Sequence, residues 1–348
     1  MLRSLKGNVT RIAVALIAIA ALSMPIYAQT AAPALEKPKL MVGVGGKPLF
    51  YYLPLTIAER NGYFKAEGLD IEILDFPGGA RALQALLGGS VDVVSGAYEH
   101  TITQQAKGQF IEALVLQGKY AGIVLGMTKE KAAAYKSPAD LKGMKIGVTA
   151  PGSSTNMFVN VLLAKAGLKP DAVAIIGVGA TAGAIAIMKR GEIDAIANLD
   201  PVISQLEADG SIVPVIDTRT AKGMQDVYSG AYAAGSIYVP VDFAKKYPNT
   251  AQAFVNAMVR ALRFIQSSTP DQIVAAVPPE YYADKALYKA ALIKNLDGFK
   301  HDGFISLEAS QNVYRDLKTF DPGVQSATVD LAKTVNMSFQ QKAAQKFK

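Results

Sequence analysis

The chain has 348 residues, half of them hydrophobic, with no cysteine, no tryptophan and two histidines. This composition excludes a disordered chain, a disulfide framework and any cysteine nucleophile or thiolate metal site, and the length suits two domains at about 100–200 residues each. The net charge of +7 falls to +4 once Arg3, Lys6 and Arg11 of an acid-free opening stretch are set aside, and the other Lys and Arg are scattered without a basic run among aromatics, so nucleic acid is not an expected partner.

Residues 1–28 read as a secretory signal peptide. A positive start precedes the uncharged run Ile12 to Leu22, and Pro25 and Ala28 follow it. The run is too short for a bilayer-spanning helix. No Cys follows, so a periplasmic protein that is not a lipoprotein is expected. Ala31 to Pro38 reads as a lead-in. Lys39 to Val44 reads as a first strand, Gly45 to Pro48 as a loop, and Leu49 to Arg60 as a helix ended by Asn61-Gly62. Asp70 to Phe76 alternates like a strand, Pro77-Gly78-Gly79 is a turn and Ala80 to Leu87 a helix. Val91 to Val94 reads as a short buried strand running into a loop, Ser95-Gly96-Ala97.

The same programme then recurs. Lys145 to Val148 is a strand, Pro151 to Thr155 a loop of small residues, and Asn156 to Ala166 a helix ended by Gly167. Val173 to Ile176 is a strand, Gly183 to Arg190 a helix, and Ile193 to Ala197 a strand running into Asn198-Leu199-Asp200-Pro201. Gly89-Ser90-Val91-Asp92 matches Gly191-Glu192-Ile193-Asp194, and Val42-Gly43-Val44 matches Ile146-Gly147-Val148. Asp92 and Asp194, at equivalent strand starts, suggest structural turn or capping roles.

Each copy is a βαβαβ unit, so the expected fold class is α/β with two lobes, each a mostly parallel sheet flanked by helices. Ligands of such sheets bind beyond the carboxyl ends of the strands, so two sets of loops can face each other across a cleft. Two crossings, Ala113 to Met127 and Tyr228 to Val239, form a hinge pair. The expected lobes are 39–120 plus 236–348, with the helical tail returning to the first lobe, and 121–235.

No G-x-S-x-G elbow or Walker A loop occurs, and His100 and His301 lie far apart in sequence. No catalytic group, metal or cofactor is therefore expected. Gly177-x-Gly179-x-x-Ala182, with Asp200 about twenty residues on, imitates a dinucleotide fingerprint, but the equivalent turn of the first copy lacks it. The loop Gly152-Ser153-Ser154-Thr155 opens a helix with hydroxyls and free N–H groups. It suits an oxyanion or an ordinary Ser/Thr N-cap, and spacing alone does not choose. Lys47, in the matching loop of the first copy, is either a counter-charge for a ligand or a solvated lysine. Of Tyr51 and Tyr52, one can line the cleft while the other packs in the core.

The segments Pro54 to Asp70, Gly88 to Val93, Ser137 to Val148, Gly152 to Ser154, Gly191 to Ala195 and Asp242 to Pro248 together resemble the nitrate/sulfonate/taurine-type substrate-binding proteins of ABC importers, a family that also holds thiamine-precursor-binding relatives. The resemblance covers residues 40–265. It implies a two-lobed type II periplasmic binding protein, not an enzyme, that closes on a small and by family default anionic ligand. It implies a monomer that delivers its ligand to an ABC permease in the inner membrane. The family's contact loops map onto Gly46, Lys47 and Tyr51; onto Gly96, Ala97 and Tyr98, with Glu99 and His100 beside them; onto Gly152, Ser153, Ser154 and Thr155; and onto Asn198 and Asp200. The chain departs from the family at Leu199, where relatives often carry Trp, and in lacking the Cys-rich signature of the yeast-type synthases. Tyr98, Glu99 and His100 are also unusually titratable for a simple anion site. An enzyme or binder of a pyrimidine- or thiamine-precursor-like heterocycle on the same fold, or an exported sensor domain working through a separate partner, are the other readings.

Overall fold

The computed structural model describes residues 34–347 except Ser229, so the signal-peptide reading lies outside the described residues. The strands are β1 (Lys39–Val44), β2 (Asp70–Asp75), β3 (Val93–Ala97), β4 (Ile111–Leu116), β5 (Val124–Met127), β6 (Lys145–Val148), β7 (Ala174–Gly177), β8 (Ala195–Asn198), β9 (Val213–Asp217) and β10 (Gly235–Pro240). They form two five-stranded sheets, ordered β2-β1-β3-β10-β4 and β7-β6-β8-β5-β9. The helices used below are α1 (Leu53–Arg60), α2 (Gly79–Leu87), α3 (Glu99–Gln105), α4 (Ser154–Lys165), α5 (Ala182–Lys189), α6 (Val202–Ala208), α7 (Ala221–Tyr228), α8 (Pro248–Ser267), α9 (Lys285–Asn295), α10 (Leu307–Leu317) and α11 (Ser338–Lys346).

The two sheets are built alike. β1 pairs in parallel with β2 and β3, as β6 does with β7 and β8. The fourth place in each order is an antiparallel strand of the crossing segments, β10 in the first sheet and β5 in the second. Asp92 and Asp194 perform one task twice. The Asp92 carboxylate accepts from the Met41 N–H at 3.0 Å and that of Asp194 from the Lys145 N–H at 2.8 Å, while the Asp N–H groups donate back to the same residues' carbonyls. Each aspartate thus completes a ladder where its own strand has not yet begun.

One boundary and the packing of the tail differ from the pattern reading. Ser95, Gly96 and Ala97 are strand, not loop. β10 runs antiparallel beside them, pairing Gly235 with Ala97 and Ser236 with Gly96, and this partner extends the ladder beyond the apolar run. The tail also packs on both sheets' elements. The buried face of α8 lies on α1, β4 and α11, but α9 packs on α6, and α10 on α3, α4 and α7. The amphipathic pattern of a helix specifies a buried face and not its partner, so the sequence placed the whole tail on the first lobe.

The carboxyl end of the second sheet is fastened by Arg219, which is 3 % exposed. Its guanidinium bonds Asp217 at 2.6 Å, Glu207 at 3.0 Å and the fully buried Asp200 at 3.2 Å. Burial opposes its charge, but hydrogen bonds to Asp217 and Glu207 and the charge of Asp200 together hold its pKa above the ordinary arginine value. Asn295 of α9 donates to the same Asp200 Oδ2 at 2.7 Å, tying the tail to this lobe. Arg219→Ala leaves Asp200 buried without its cation, a defect worth about 3–5 kcal/mol. Chemical denaturation should show a loss of that size, and a loss below 1 kcal/mol would mean that the cluster is not the fastening described.

Candidate functional site

The loops after β1, β2 and β3 meet those after β6, β7 and β8, and they meet closely. The Ala80 N–H donates to Ser153 Oγ at 2.9 Å, and the Phe50 N–H donates to the Asp200 carbonyl at 3.0 Å. A Cβ on Gly78 would lie 2.8 Å from that of Ala150, and a Cβ on Gly46 2.4 Å from that of Ala180. The lobes are closed, and absent side chains let the backbones approach this far.

His100 adds a third tie. Its Nε2 lies 3.3 Å from the Gly152 carbonyl oxygen, which can only accept, so the proton sits on Nε2. Nδ1 then accepts from the Tyr238 hydroxyl at 3.0 Å. Burial lowers the His100 pKa to about 4, so the ring is neutral and ties the lobes as a dipole, not as a cation.

The family-mapped residues divide into groups. Gly46 has φ of 101°, and its N–H and that of Lys47 both donate to Asp75 at 2.8 Å. Lys47 turns its ammonium to Glu59 at 3.0 Å, within its own lobe. Gly96 lies under the Tyr238 ring, which a Cβ would meet at 2.8 Å, and Ala97 is a ladder residue. Tyr98 is buried, with its hydroxyl 2.6 Å from Thr334 of the tail. Thr155 is bound by its own loop, its Oγ1 accepting from the Thr149 N–H at 3.0 Å. Asn198 braces its loop, donating to the Gly179 carbonyl at 3.0 Å and accepting from the Leu199 N–H at 2.9 Å. Asp200 belongs to the Arg219 cluster and receives Ser204 as well. These side chains are occupied by the fold.

Tyr51, Gly152, Ser153 and Ser154 are brought together at the junction. The Tyr51 hydroxyl is buried, with the Ser154 hydroxyl beside it as a hydrogen-bonding neighbour. Burial, then the charge of Glu99, push its pKa well above the phenol range. Glu99 is 3 % exposed. Its Oε1 accepts from the Tyr232 hydroxyl at 3.1 Å, and its Oε2 has no partner among the described residues. Burial raises its pKa to about 7, and Asp316 adds to the rise. Tyr228 and Tyr232 stack with centroids 4.1 Å apart, and the charge of Glu99 bears on both. Sequence reasoning placed Glu99 only at the margin and missed Tyr228, Tyr232 and Asp316. The two tyrosines lie around the second crossing, where their density was the available signal, whereas Asp316 sits mid-helix without one.

A two-lobed α/β protein that seals polar side chains between facing loops has the architecture of the type II periplasmic binding proteins. The chain belongs to the NMT1/THI5 like family, whose profile matches residues 50–273. A 4-amino-5-hydroxymethyl-2-methylpyrimidine phosphate synthase of Saccharomyces cerevisiae is 25 % identical over 231 residues, 63 % of this chain and 64 % of its own length. The taurine-binding periplasmic protein of Escherichia coli is 26 % identical over 212 residues, 60 % of this chain and 62 % of its own. The chain therefore spans less than two thirds of the length of these curated relatives. A solved structure from Bordetella bronchiseptica shares 52 % identity with a TM-score of 0.87, covering 90 % of this chain and 99 % of that one. The periplasmic nitrate-binding protein NrtA of Synechocystis, 18 % identical, shares the fold at a TM-score of 0.69 over 91 % of this chain and 90 % of its own.

Gly78 offers a test of closure with little backbone strain, because its φ of −175° is extended and suits any residue. Gly78→Ala should leave the melting temperature unchanged and keep the lobes apart. Small-angle scattering should then give a larger radius than wild type under conditions that close the wild-type protein. Equal radii would show that the Gly78–Ala150 approach does not limit closure.

Proposed function

We propose that this chain is the solute receptor of an ABC importer, capturing a small molecule between its lobes and presenting the closed form to a permease in the inner membrane. The observation that carries this reading is the set of hydrogen bonds made from lobe to lobe by the Ala80 N–H, His100 and the Phe50 N–H, which exist only when the lobes are shut. A ligand that touches both lobes favours that state by its differential affinity, and the shut surface is what a partner can recognise. The lobes are taken as 39–120 with 236–348 and as 121–235, the tail bridging the two. Export to the periplasm and action as a monomer belong to the same reading.

The family default is a small oxyanion. An oxyanion needs donors; in the loop read for that role Ser153 Oγ accepts from the Ala80 N–H and Thr155 Oγ1 from the Thr149 N–H, bonds that fix the two oxygens without using their hydroxyl protons. Lys47 and Arg219 are ion-paired within their own lobes. An enzyme reading has support from the synthase similarity and from the buried Glu99. One experiment separates receptor from enzyme. The purified protein is mixed with the small molecules of yeast extract and followed by scattering and by mass spectrometry of the mixture. A contraction of the protein without consumption of any component is expected; steady turnover would replace the receptor reading with the enzyme.

Ser153 has a specific part in this scheme. Ser153→Ala deletes the acceptor for the Ala80 N–H, a net loss of about 0.5–1.5 kcal/mol from the closed state alone. Affinity for whichever fraction closes the protein should fall roughly two- to tenfold, with the melting temperature of the free protein unchanged. A lower melting temperature with full affinity would make Ser153 a plain helix cap.

A further inference from the structure

We infer that the ligand carries a cationic or donor-rich nitrogen, an ammonium or amidinium, and that Glu99 is its anchor. This rests on the receptor reading and names its ligand class. The first observation is geometric: Glu99 is sealed from water, one carboxylate oxygen is held by Tyr232 at 3.1 Å, and the other has no donor among the described residues. No Lys or Arg forms an ion pair with Glu99 among the described residues. The second observation is that the Tyr51 hydroxyl is buried with only the Ser154 hydroxyl beside it, and Tyr51 is close enough for the charge of Glu99 to act on it.

The groups that bear on Glu99 from the packed elements are acidic, phenolic or neutral. Tyr51 and Tyr52 precede α1, Tyr228 ends α7, Tyr232 follows it, and Tyr238 lies on β10. Asp316 on α10 contributes a second carboxylate, itself raised to about 6 chiefly by burial, with an unpartnered Oδ2; Arg315 and Lys165 temper it. His100, the adjacent residue, is neutral because both ring nitrogens are engaged and burial lowers its pKa to about 4. An oxyanion placed here would meet a carboxylate with no compensating cation. A nitrogen cation instead supplies the counter-charge that the protein does not, and phenol rings suit it through their π-faces. A buried carboxylate left unpaired costs stability, so its retention is accounted for when a ligand completes it.

The test uses Glu99→Gln, which keeps shape and removes charge. Yeast extract is separated on a cation exchanger into a retained fraction and a flow-through, and each is added to wild type and variant while scattering records closure. The expected result is contraction of wild type by the retained fraction, with the amount needed rising at least tenfold for the variant. Contraction by the flow-through alone overturns the ligand class and leaves the receptor reading standing, and equal response of the variant to the retained fraction overturns the role of Glu99. No contraction by either fraction overturns both. Folding of the variant is checked by the sign of its stability change. The native pKa of Glu99 is raised above its unfolded value, so its ionised form destabilises the native state, fully so above pH 7. Glu99→Gln should therefore melt higher than wild type at pH 8, with most of the gap closing by pH 5.

Discussion

At Gly46–Ala180 and Gly78–Ala150 two backbones approach with almost no side chain between them, and this approach sets how far the lobes can shut. What lies behind these contacts depends on it. Ser153 reaches Ala80 and His100 reaches Gly152 only at this separation. Water is then excluded from Tyr51, Glu99 and the tyrosines of the crossing, and exclusion strengthens every electrostatic interaction inside. At Gly78, whose extended backbone suits any residue and whose added Cβ would meet only Ala150 and Thr149, a larger residue would act on the closure itself.

Two buried acids show how differently the molecule treats charge. Asp200 is fully buried and surrounded by Arg219, Asn295 and Ser204. It is a fold element, and its neighbours are supplied by the chain itself. Glu99 is about as deeply buried but receives one side-chain donor, the Tyr232 phenol. The first arrangement is completed within the chain, whereas the second leaves one carboxylate oxygen without a donor among the described residues. Local strain of this second kind is tolerated where the surrounding structure over-determines it, and here the ladder of β3 with β10 and the packing of α3 hold Glu99 in place.

The repeat, the parallel pairing and the cleft between carboxyl ends were legible in the sequence because period, glycine punctuation and strand order carry them. Asp92 and Asp194 could even be read as structural from their matched positions. The site was legible only in part. Family mapping puts a residue in the right loop but does not give its side-chain direction. Asn198, Asp200, Tyr98 and Thr155 all sit in or beside the expected loops, and all turn to partners within the fold. Gly96 and Ala97 were placed in a loop because β10, 138 or more residues away, extends the ladder through them, and no local pattern announces so distant a partner. Asp316 was invisible for a similar reason: its neighbour Glu99 lies more than 200 residues earlier in the chain.

The two copies keep the same skeleton and differ in what they place at the cleft. The third strand of the first copy runs directly into α3 and so delivers Glu99 and His100, whereas the third strand of the second runs into a braced turn, Asn198 to Pro201, whose side chains bond to the second lobe and the tail and whose Asp200 carbonyl accepts the Phe50 N–H. The first lobe, the crossing and the tail therefore supply the acidic and phenolic groups; the second lobe supplies the Gly152 carbonyl and the hydroxyls of Ser153 and Ser154. Ionisable and phenolic side chains are gathered on one wall, and backbone and small hydroxyl groups lie on the other. On the proposed reading, a ligand held by the first wall changes what the second wall meets, and the bonds of Ser153 and His100, each worth about 1 kcal/mol, are small enough for such a change to shift the balance between open and shut.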